Sequence, residues 1–568
     1  MLRRGLEGWL GGYRGALGRR DFRLLLGALI TSATGSWAYN VGLVALLFTR
    51  THSLGWVAAG GLARWIPSLV LSSYGGVIAE RTERVRLMLR ADVACAVLQG
   101  LLALIAASHG PLVLALALAS LSSIANLVYN PAVAATIPSV VDEDGLVAAN
   151  ALTGTVDNLA IIIGPAVGAG LLLLGPPALA IAVNAASFGV SALLVAQIRT
   201  RSRSPEPADD TAGALAQIAV GLRAIAGDQA ARTLVAFCAL VAVVYGTDSV
   251  LLIGVSEHRL GAGTEGFGYL LGAIGLGGIL MAFAADRLAA SGRLAPIIFA
   301  GVAGYCLPTA LLATTHSLAL AIALEVLRGA STLVVDVLAI TALQRAVPAG
   351  QIARVFGVFW AIVLASVALG TLIAPLLVSA GGLDTGLLTM AFVPFALGLA
   401  GVPALVAVDR GSAAATAALA PRVALLEGLG LFATASRSVL ERVAAAAAET
   451  SFAAGTTIIR EGDTAHDLFA LAAGEVEVTA RGEGGTERVL RRMKAPAYFG
   501  EIGVLERIPR TATVTAVSDC RCEVIAGDDF LDALTAAPPS STLIENTRSR
   551  LAVTHPSREL KIAGAGAD

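Results

Sequence analysis

The chain has 568 residues, of which 56% are hydrophobic and 14% charged, with a formal net charge of -1 and a mean hydropathy of +0.77. A charged share so far below the roughly 25% of globular proteins excludes a wholly water-soluble chain. The five cysteines exclude a disulfide framework or a metal spacing, because Cys95, Cys238 and Cys306 fall in apolar runs and only Cys520 and Cys522 are near neighbours.

Charge is sparse up to about residue 410 and dense from Arg422 onward, which predicts a membrane part followed by a water-exposed one. At the amino end Arg3, Arg4, Arg14, Arg19 and Arg20 precede an apolar stretch too long for a signal peptide core and without a small-residue cleavage site, so the first span is retained. Twelve apolar runs then reach the length of about 20 residues that a spanning helix needs. They are 22–48, 55–79, 87–107, 111–137, 149–174, 177–198, 233–255, 266–285, 294–313, 318–343, 356–378 and 387–408. An even count puts both termini on one side. The arginines decide which: one set of loops holds Arg81, Arg84, Arg86, Arg90, Arg199, Arg201, Arg203, Arg287, Arg293, Arg345 and Arg354, the other only Arg50 and Arg259. The positive-inside rule makes the first set cytoplasmic, and the expected location is the inner (plasma) membrane with both ends in the cytosol.

The charged, proline-bearing segment 199–213 and the amphipathic stretch after it separate two groups of six spans. The expected organisation is a first half at 1–198, a linker at 199–230, a second half at 231–410, a linker at 411–421, a cytosolic module at 422–537 and a tail at 538–568. The halves also repeat: one offset of 206 residues aligns Glu80-Arg81 with Asp286-Arg287 and Asn130 with Asp336. Parallel repeats of this kind build transporters that rock around a midplane site.

After span two stands Gly76-Val-Ile-Ala-Glu80-Arg81-Thr-Glu-Arg84. With it, residues 15–410 resemble the major facilitator superfamily. Where that family's motif usually has an aspartate and a glycine, this chain has Glu80 and Glu83. The resemblance implies that Gly76, Glu80, Arg81 and Arg84, with Asp286 and Arg287 of the second half, form a cytoplasmic gate of ion pairs that break when that face opens. The plain alternative is that these arginines only fix topology. Span five carries Ile163-Gly164-Pro165-Ala166-Val167-Gly168-Ala169-Gly170, which resembles the Gly-Pro signature of the family's proton antiporters and drug exporters. Close helix packing alone also explains it.

Ionisable groups deep in lipid are costly and functional by default. Counting about 1.5 Å per helical residue places Arg64, Asp157, Glu325 and Arg328 near the midplane, Asp248 nearer the outside and Asp336 nearer the cytosol. Glu325 and Arg328, three apart, either satisfy each other or serve substrate or proton. Asp157 has no helical partner and is the better proton relay. So few charges in a mainly apolar pocket suit a lipophilic or amphipathic small molecule.

From Arg422 to Thr450 the pattern is helical; short alternating strands broken by glycines follow, a compact antiparallel roll. Between two of them lies Phe499-Gly500-Glu501-Ile502-Gly503 and, nine residues past the glutamate, Arg510 in Pro509-Arg510-Thr511-Ala512. A glycine-bearing loop can aim backbone N–H groups at an anion, an arginine fork suits phosphate oxygens, and a glutamate beside them fits a sugar hydroxyl. Residues 422–536 resemble the cyclic nucleotide-binding domain. That resemblance implies Glu501 for the ribose, Arg510 and the amides at Gly500, Ile502 and Gly503 for the cyclic phosphate, and Thr511 as an added hydroxyl. Cyclic AMP is the first choice, with cyclic GMP open because a threonine at this position favours it in some relatives. After Pro539, Leu543, Thr547 and Leu551 share a helical face, either a lid or an uninvolved tail.

The fold class expected is therefore an all-α membrane domain of twelve helices in two six-helix halves, with a C-terminal cytosolic β-roll and flanking helices. The function expected is a secondary transporter, an exporter coupled to protons and regulated by cyclic nucleotide. The alternative is a membrane-anchored cyclic-nucleotide receptor with a transporter-like sensor. An enzyme is not expected, since no phosphate-binding loop, metal cluster or nucleophile elbow is present, and no basic helix-turn-helix points to a nucleic-acid partner.

Overall fold

Long apolar runs in the first 410 residues leave helices as the form that satisfies every backbone group inside a bilayer. The computed structural model describes residues 13–142, 145–200, 214–289, 294–347, 352–431, 435, 437–481, 487–536, 543, 545 and 547–550. It divides at Asp409 into two compact units, Met1–Asp409 and Arg410–Asp568.

Among the described residues ten helices are long and apolar enough to cross a membrane. One of them, Ile352–Gly428, leaves helical geometry at Gly381 and at Gly382, whose φ of +82° is a left-handed value open to glycine, and so supplies two spans. The helix Arg20–Thr51 covers the first apolar run, 22–48. Residues 411–421, expected as a linker, are helical throughout within Ile352–Gly428. Several starts carry local caps. Asp228 accepts from the amide of Ala231, Ser317 from that of Leu320, and Glu83 from those of Val85 and Arg86. Glu83, which departs from the family's glycine, thus starts the third spanning helix, Arg84–Ala107.

Glycines set how closely these helices cross. A Cβ on Gly164 would strike Trp37 of span one, a Cβ on Gly168 would lie 2.8 Å from the Ala38 carbonyl, and Ala169 packs against Gly268 of span eight. The Gly-Pro stretch of span five therefore serves close approach to helices of both halves.

The cores of this unit are unequal at its two ends. At one end the halves share a single cluster, in which Leu46 and Phe48 join Leu252, Val255 and Phe267. At the other each half keeps its own, around Phe22 and Met88 in the first and around Phe237 and Ile298 in the second. The shared end carries Arg50, which donates to the carbonyls of Gly110 and His109 at 2.8 and 2.9 Å, and Arg259, which pairs with Asp384.

In the second unit, two four-stranded antiparallel sheets form the roll. Their orders are β1-β8-β3-β6 and β2-β7-β4-β5, with β1 Ala448–Phe452, β2 Thr457–Ile459, β3 Asp467–Ala473, β4 Glu475–Arg481, β5 Glu487–Lys494, β6 Ala497–Phe499, β7 Thr513–Ala516 and β8 Cys520–Ala526. Two sequence expectations are corrected here. Residues 448–450 extend as β1 against β8, Thr450 opposite Cys522, where a helix was expected; β pairing overrides the helical signal of the alanines before them. The residues Glu501, Ile502 and Gly503, expected as a loop, belong to a short helix, Glu501–Glu506. Cys520 and Cys522 are buried free thiols inside the roll, and burial pushes Cys522 up to about 12. The helices Arg437–Ala446 and Gly527–Ala536 cover the β1-β8-β3-β6 sheet through Leu440, Val443, Phe530 and Leu468.

Candidate functional site

In the roll the groups named from the sequence converge. β6 ends at Phe499, and Gly500 turns the chain with φ +89° into the helix Glu501–Glu506. A Cβ there would lie 2.7 Å from Nη1 of Arg510 and 3.2 Å from the Asp467 carbonyl, so only glycine fits. Arg510 is held at both levels of structure. Its backbone amide donates to the Asp463 carbonyl at 2.8 Å, its own carbonyl accepts from Gly462 at 2.9 Å, and its guanidinium donates to the carbonyls of Gly500 at 2.9 Å and Asp467 at 2.8 Å. Two of five N–H groups are thereby spent on fixing the fork and the rest remain for a ligand. Burial lowers the Arg510 pKa, opposed by Asp467, Glu501 and Asp463; a guanidinium stays charged through such a shift.

Glu501 is 2% exposed yet lines the same pocket, a cleft of about 260 Å³ also bordered by Ile502, Gly503 and Thr511. Ile459, Val478, Leu490 and Val514 give it an apolar wall suited to a planar base. Two further residues line it that sequence reasoning missed. Arg550 donates to Glu501 Oε1 at 2.8 Å and to the Tyr498 carbonyl at 3.0 Å, with its guanidinium 4.4 Å from the centre of the Tyr498 ring. Arg491 of β5 is half-buried, its pKa lowered first by burial and then by the positive charge of Arg550. The helical face expected after Pro539 brings Leu543 into the core beside the roll and buries Thr547, which carries Arg550 to the pocket; Leu551 lies outside the described residues. The pattern hinted at a lid, but nothing local tied Arg550 to Glu501, 49 residues away.

In the membrane unit a cavity lies between the halves, lined by Asn40, Leu43, Gly60, Gly61 and Trp65 of the first and by Tyr245, Asp248, Ser249 and Val367 of the second. Glu325 and Arg328 are wholly buried and bonded to each other, Nη1 of the arginine lying 2.8 Å from both glutamate oxygens. They are not alone: Arg328 Nη2 donates to Asp248 Oδ1 at 2.7 Å, Arg328 Nε to the Tyr305 carbonyl at 3.0 Å, and the Tyr305 hydroxyl to Asp248 Oδ2 at 2.6 Å. Asp248, set nearer the outside by its position along span seven, is thus brought into one network with span ten. Arg64 donates to the side-chain oxygen of Asn40 and stacks near Tyr39 and Trp65. Asp157 is exposed on its helix and has no hydrogen-bond or ion-pair partner among the described residues.

Of the gate residues, Arg84 donates to the Ala135 carbonyl at 2.8 Å. The side chains of Glu80, Arg81, Asp286 and Arg287, and the surroundings of Gly76, lie outside the described residues. Among the described residues no His, Cys, Asp and Glu cluster offers a metal site.

Comparison with known proteins follows this division. The family model described as transmembrane secretion effector matches residues 15–425, and that described as cyclic nucleotide-binding domain matches residues 449–536. An uncharacterised MFS-type transporter, y4rN, of Sinorhizobium fredii is 28% identical over 368 residues, 63% of this chain and 88% of its own length. A cAMP-dependent protein kinase regulatory subunit of Yarrowia lipolytica is 38% identical over 76 residues, 13% of this chain; the chain spans 20% of that subunit's length. Among solved structures, a mutant of the nucleoside transporter NupG shares the membrane fold with a TM-score of 0.58 at 11% identity, over 68% of this chain and 99% of that one.

Proposed function

The chain belongs to the transmembrane secretion effector family of major facilitator transporters and carries a cyclic nucleotide-binding domain, and from this premise we propose that it is a secondary exporter, proton-coupled, of a lipophilic or amphipathic small molecule, biased by cytosolic cyclic nucleotide with cyclic AMP preferred. One observation carries the transport reading: a cavity between the halves, with a shared core at one end and separate cores at the other. That asymmetry is what one member of an alternating-access pair needs, since rocking the halves would open the shared core and merge the separate ones.

For regulation, Arg510 is pre-set to meet a phosphate, and Glu501 to accept from a ribose hydroxyl. Glu501 already accepts from Arg550, so a ribose hydroxyl must share that carboxylate or displace the guanidinium. The residues 547–550 then differ between the empty and filled pocket, which gives the nucleotide a state to select. A nucleotide that binds one state better shifts the equilibrium by its differential affinity, usually ~1–3 kcal/mol for coupled sites. The helical stretch 411–421 makes a stiffer connection than a disordered tether. For coupling, Asp157 has the exposure and lack of partner that a titrating relay requires.

The test is flux of a fluorescent amphipathic dye out of vesicles holding the full chain, under a pH gradient, with and without cyclic AMP or cyclic GMP on the cytoplasmic side. A nucleotide-dependent rate is expected, and Asp157→Asn is expected to remove the pH dependence while the protein stays folded. Equal rates with and without nucleotide would leave the receptor reading in its place.

A further inference from the structure

Inside the second half two carboxylates meet one guanidinium. Glu325, Arg328 and Asp248 are 0%, 0% and 2% exposed. Arg328 Nη1 donates to both oxygens of Glu325, Nη2 to Asp248 Oδ1 and Nε to the Tyr305 carbonyl, while the Tyr305 hydroxyl donates to Asp248 Oδ2. The hydrogen bonds are complete, but the charges are not. Two carboxylates against one guanidinium leave one negative charge unmatched, and no second cation stands within ion-pair distance of either among the described residues. An uncompensated buried charge is costly, and a group able to neutralise it by taking a proton does so.

The neighbouring elements bring no counter-charge. Span nine adds Tyr305 and Cys306, and span seven adds Tyr245, which also lies within electrostatic reach of Arg64 in the first half and Asp336 in span ten. Span eight meets span ten through Ile274 and Gly277, and span eleven meets span seven through Val367 and Thr371, none of them ionisable. Of the three charged residues Asp248 alone lines the cavity between the halves. That cavity, of about 30 Å³, has room for a water, and Asn40, Tyr245 and Ser249 beside Asp248 give it polar partners. A proton needs no more space than that. Leu43 and Leu47 of the cavity wall belong to the core that the halves share, so rocking that core open brings Asp248 to solvent at the end that carries Arg50 and Arg259.

We propose that Asp248, Arg328 and Glu325 together hold one proton in this conformation, and that it enters and leaves through Asp248 as the halves rock, a second proton site beside Asp157. This rests on reading the membrane unit as a transporter and deepens it. The two carboxyls share the proton and titrate as a unit. Uptake moves H+ from a water in the cavity to a carboxylate oxygen, release returns it to water, and no other bond changes. With the proton bound the cluster is neutral, and the halves close over it without burying a net charge.

The experiment uses the purified full chain in detergent, as wild type, Glu325→Gln and Asp248→Asn, and reads the infrared C=O stretch of protonated carboxyl groups at neutral pH. Either variant leaves one carboxylate matched to Arg328, so each is expected to lose one protonated carboxyl relative to the wild type. Thermal unfolding is the second readout. The folded chain keeps a proton that an unfolded carboxyl gives up above about pH 4, so the wild-type unfolding temperature is expected to fall as pH rises beyond that value, and more steeply than that of either variant. A cluster that is fully ionised and only structural would lose no band and would show equal slopes. No band loss, a loss in only one of two folded variants, or equal pH slopes would each overturn the proposal; if one variant does not fold, the other against the wild type decides. In vesicles a pH gradient is expected to drive dye efflux by the wild type and by neither variant, and gradient-driven efflux that survives in the variants would overturn the role in transport. No efflux by the wild type, with the infrared result as expected, would sink the transport reading while the proton site stands.

Discussion

The two halves of the membrane unit each hold an arginine near mid-bilayer and treat it in opposite ways. In the second half Arg328 is 0% exposed and meets two carboxylates, the Tyr305 carbonyl and the face of its ring. In the first half Arg64 meets an amide oxygen and two rings. The helix-centre cost of an arginine is about 3 kcal/mol by insertion scales, and only the second half offsets it from within. Indeed it over-offsets: two carboxylates around one guanidinium leave a negative charge that a proton can match. The difference teaches that identical residues at similar depth need not share a role. Arg328 holds spans seven, nine and ten together, while Arg64 is held by an amide and two rings of the first half. Arg510 of the roll is a third case, pinned by two neutral carbonyls that fix its direction without cancelling its charge.

The sharpest way to break this comparison is Arg328→Ala. It strands Asp248 and Glu325 in the interior, and cutting one side of a buried ionic network costs about 3–5 kcal/mol. A large fall in unfolding temperature is expected, against none for Arg64→Gln; equal behaviour of the two variants would dissolve the contrast. Next, Arg510→Ala is expected to lose about 2–5 kcal/mol of cyclic nucleotide affinity by calorimetry on the full chain, the usual cost of truncating one side of a buried charged contact. The smallest effect expected is that of Arg550→Ala. Freeing Glu501 from a competing donor should tighten cyclic nucleotide binding by less than tenfold, and a weakened affinity would instead make Arg550 part of the binding surface.

Much of this was legible in order along the chain. The twelve runs all fall on helical elements, because each depends only on a contiguous apolar stretch. Glu501 and Arg510 were legible because the sequence keeps them nine residues apart on a turn that needs Gly500 at positive φ. The pair Glu325 and Arg328 was legible as well, since helical spacing alone brings them together. What was not legible had no local signal: Asp248 lies 80 residues from Arg328, and Arg491 looks like any other strand arginine. β1 was hidden because its alanine-rich approach favours a helix and only pairing with β8 fixes it as a strand.

By itself, then, the sequence determined which stretches are apolar enough to span a membrane and that Gly500 turns the chain toward Arg510, because hydropathy, glycine and short spacings act over a few residues. The tertiary structure decided which buried charges have partners. Helix rotation and crossing bring Asp248 to Arg328 and Arg550 to Glu501 and leave Arg64 without a carboxylate among the described residues, and such pairing is a property of packing, which spacing along a chain does not encode.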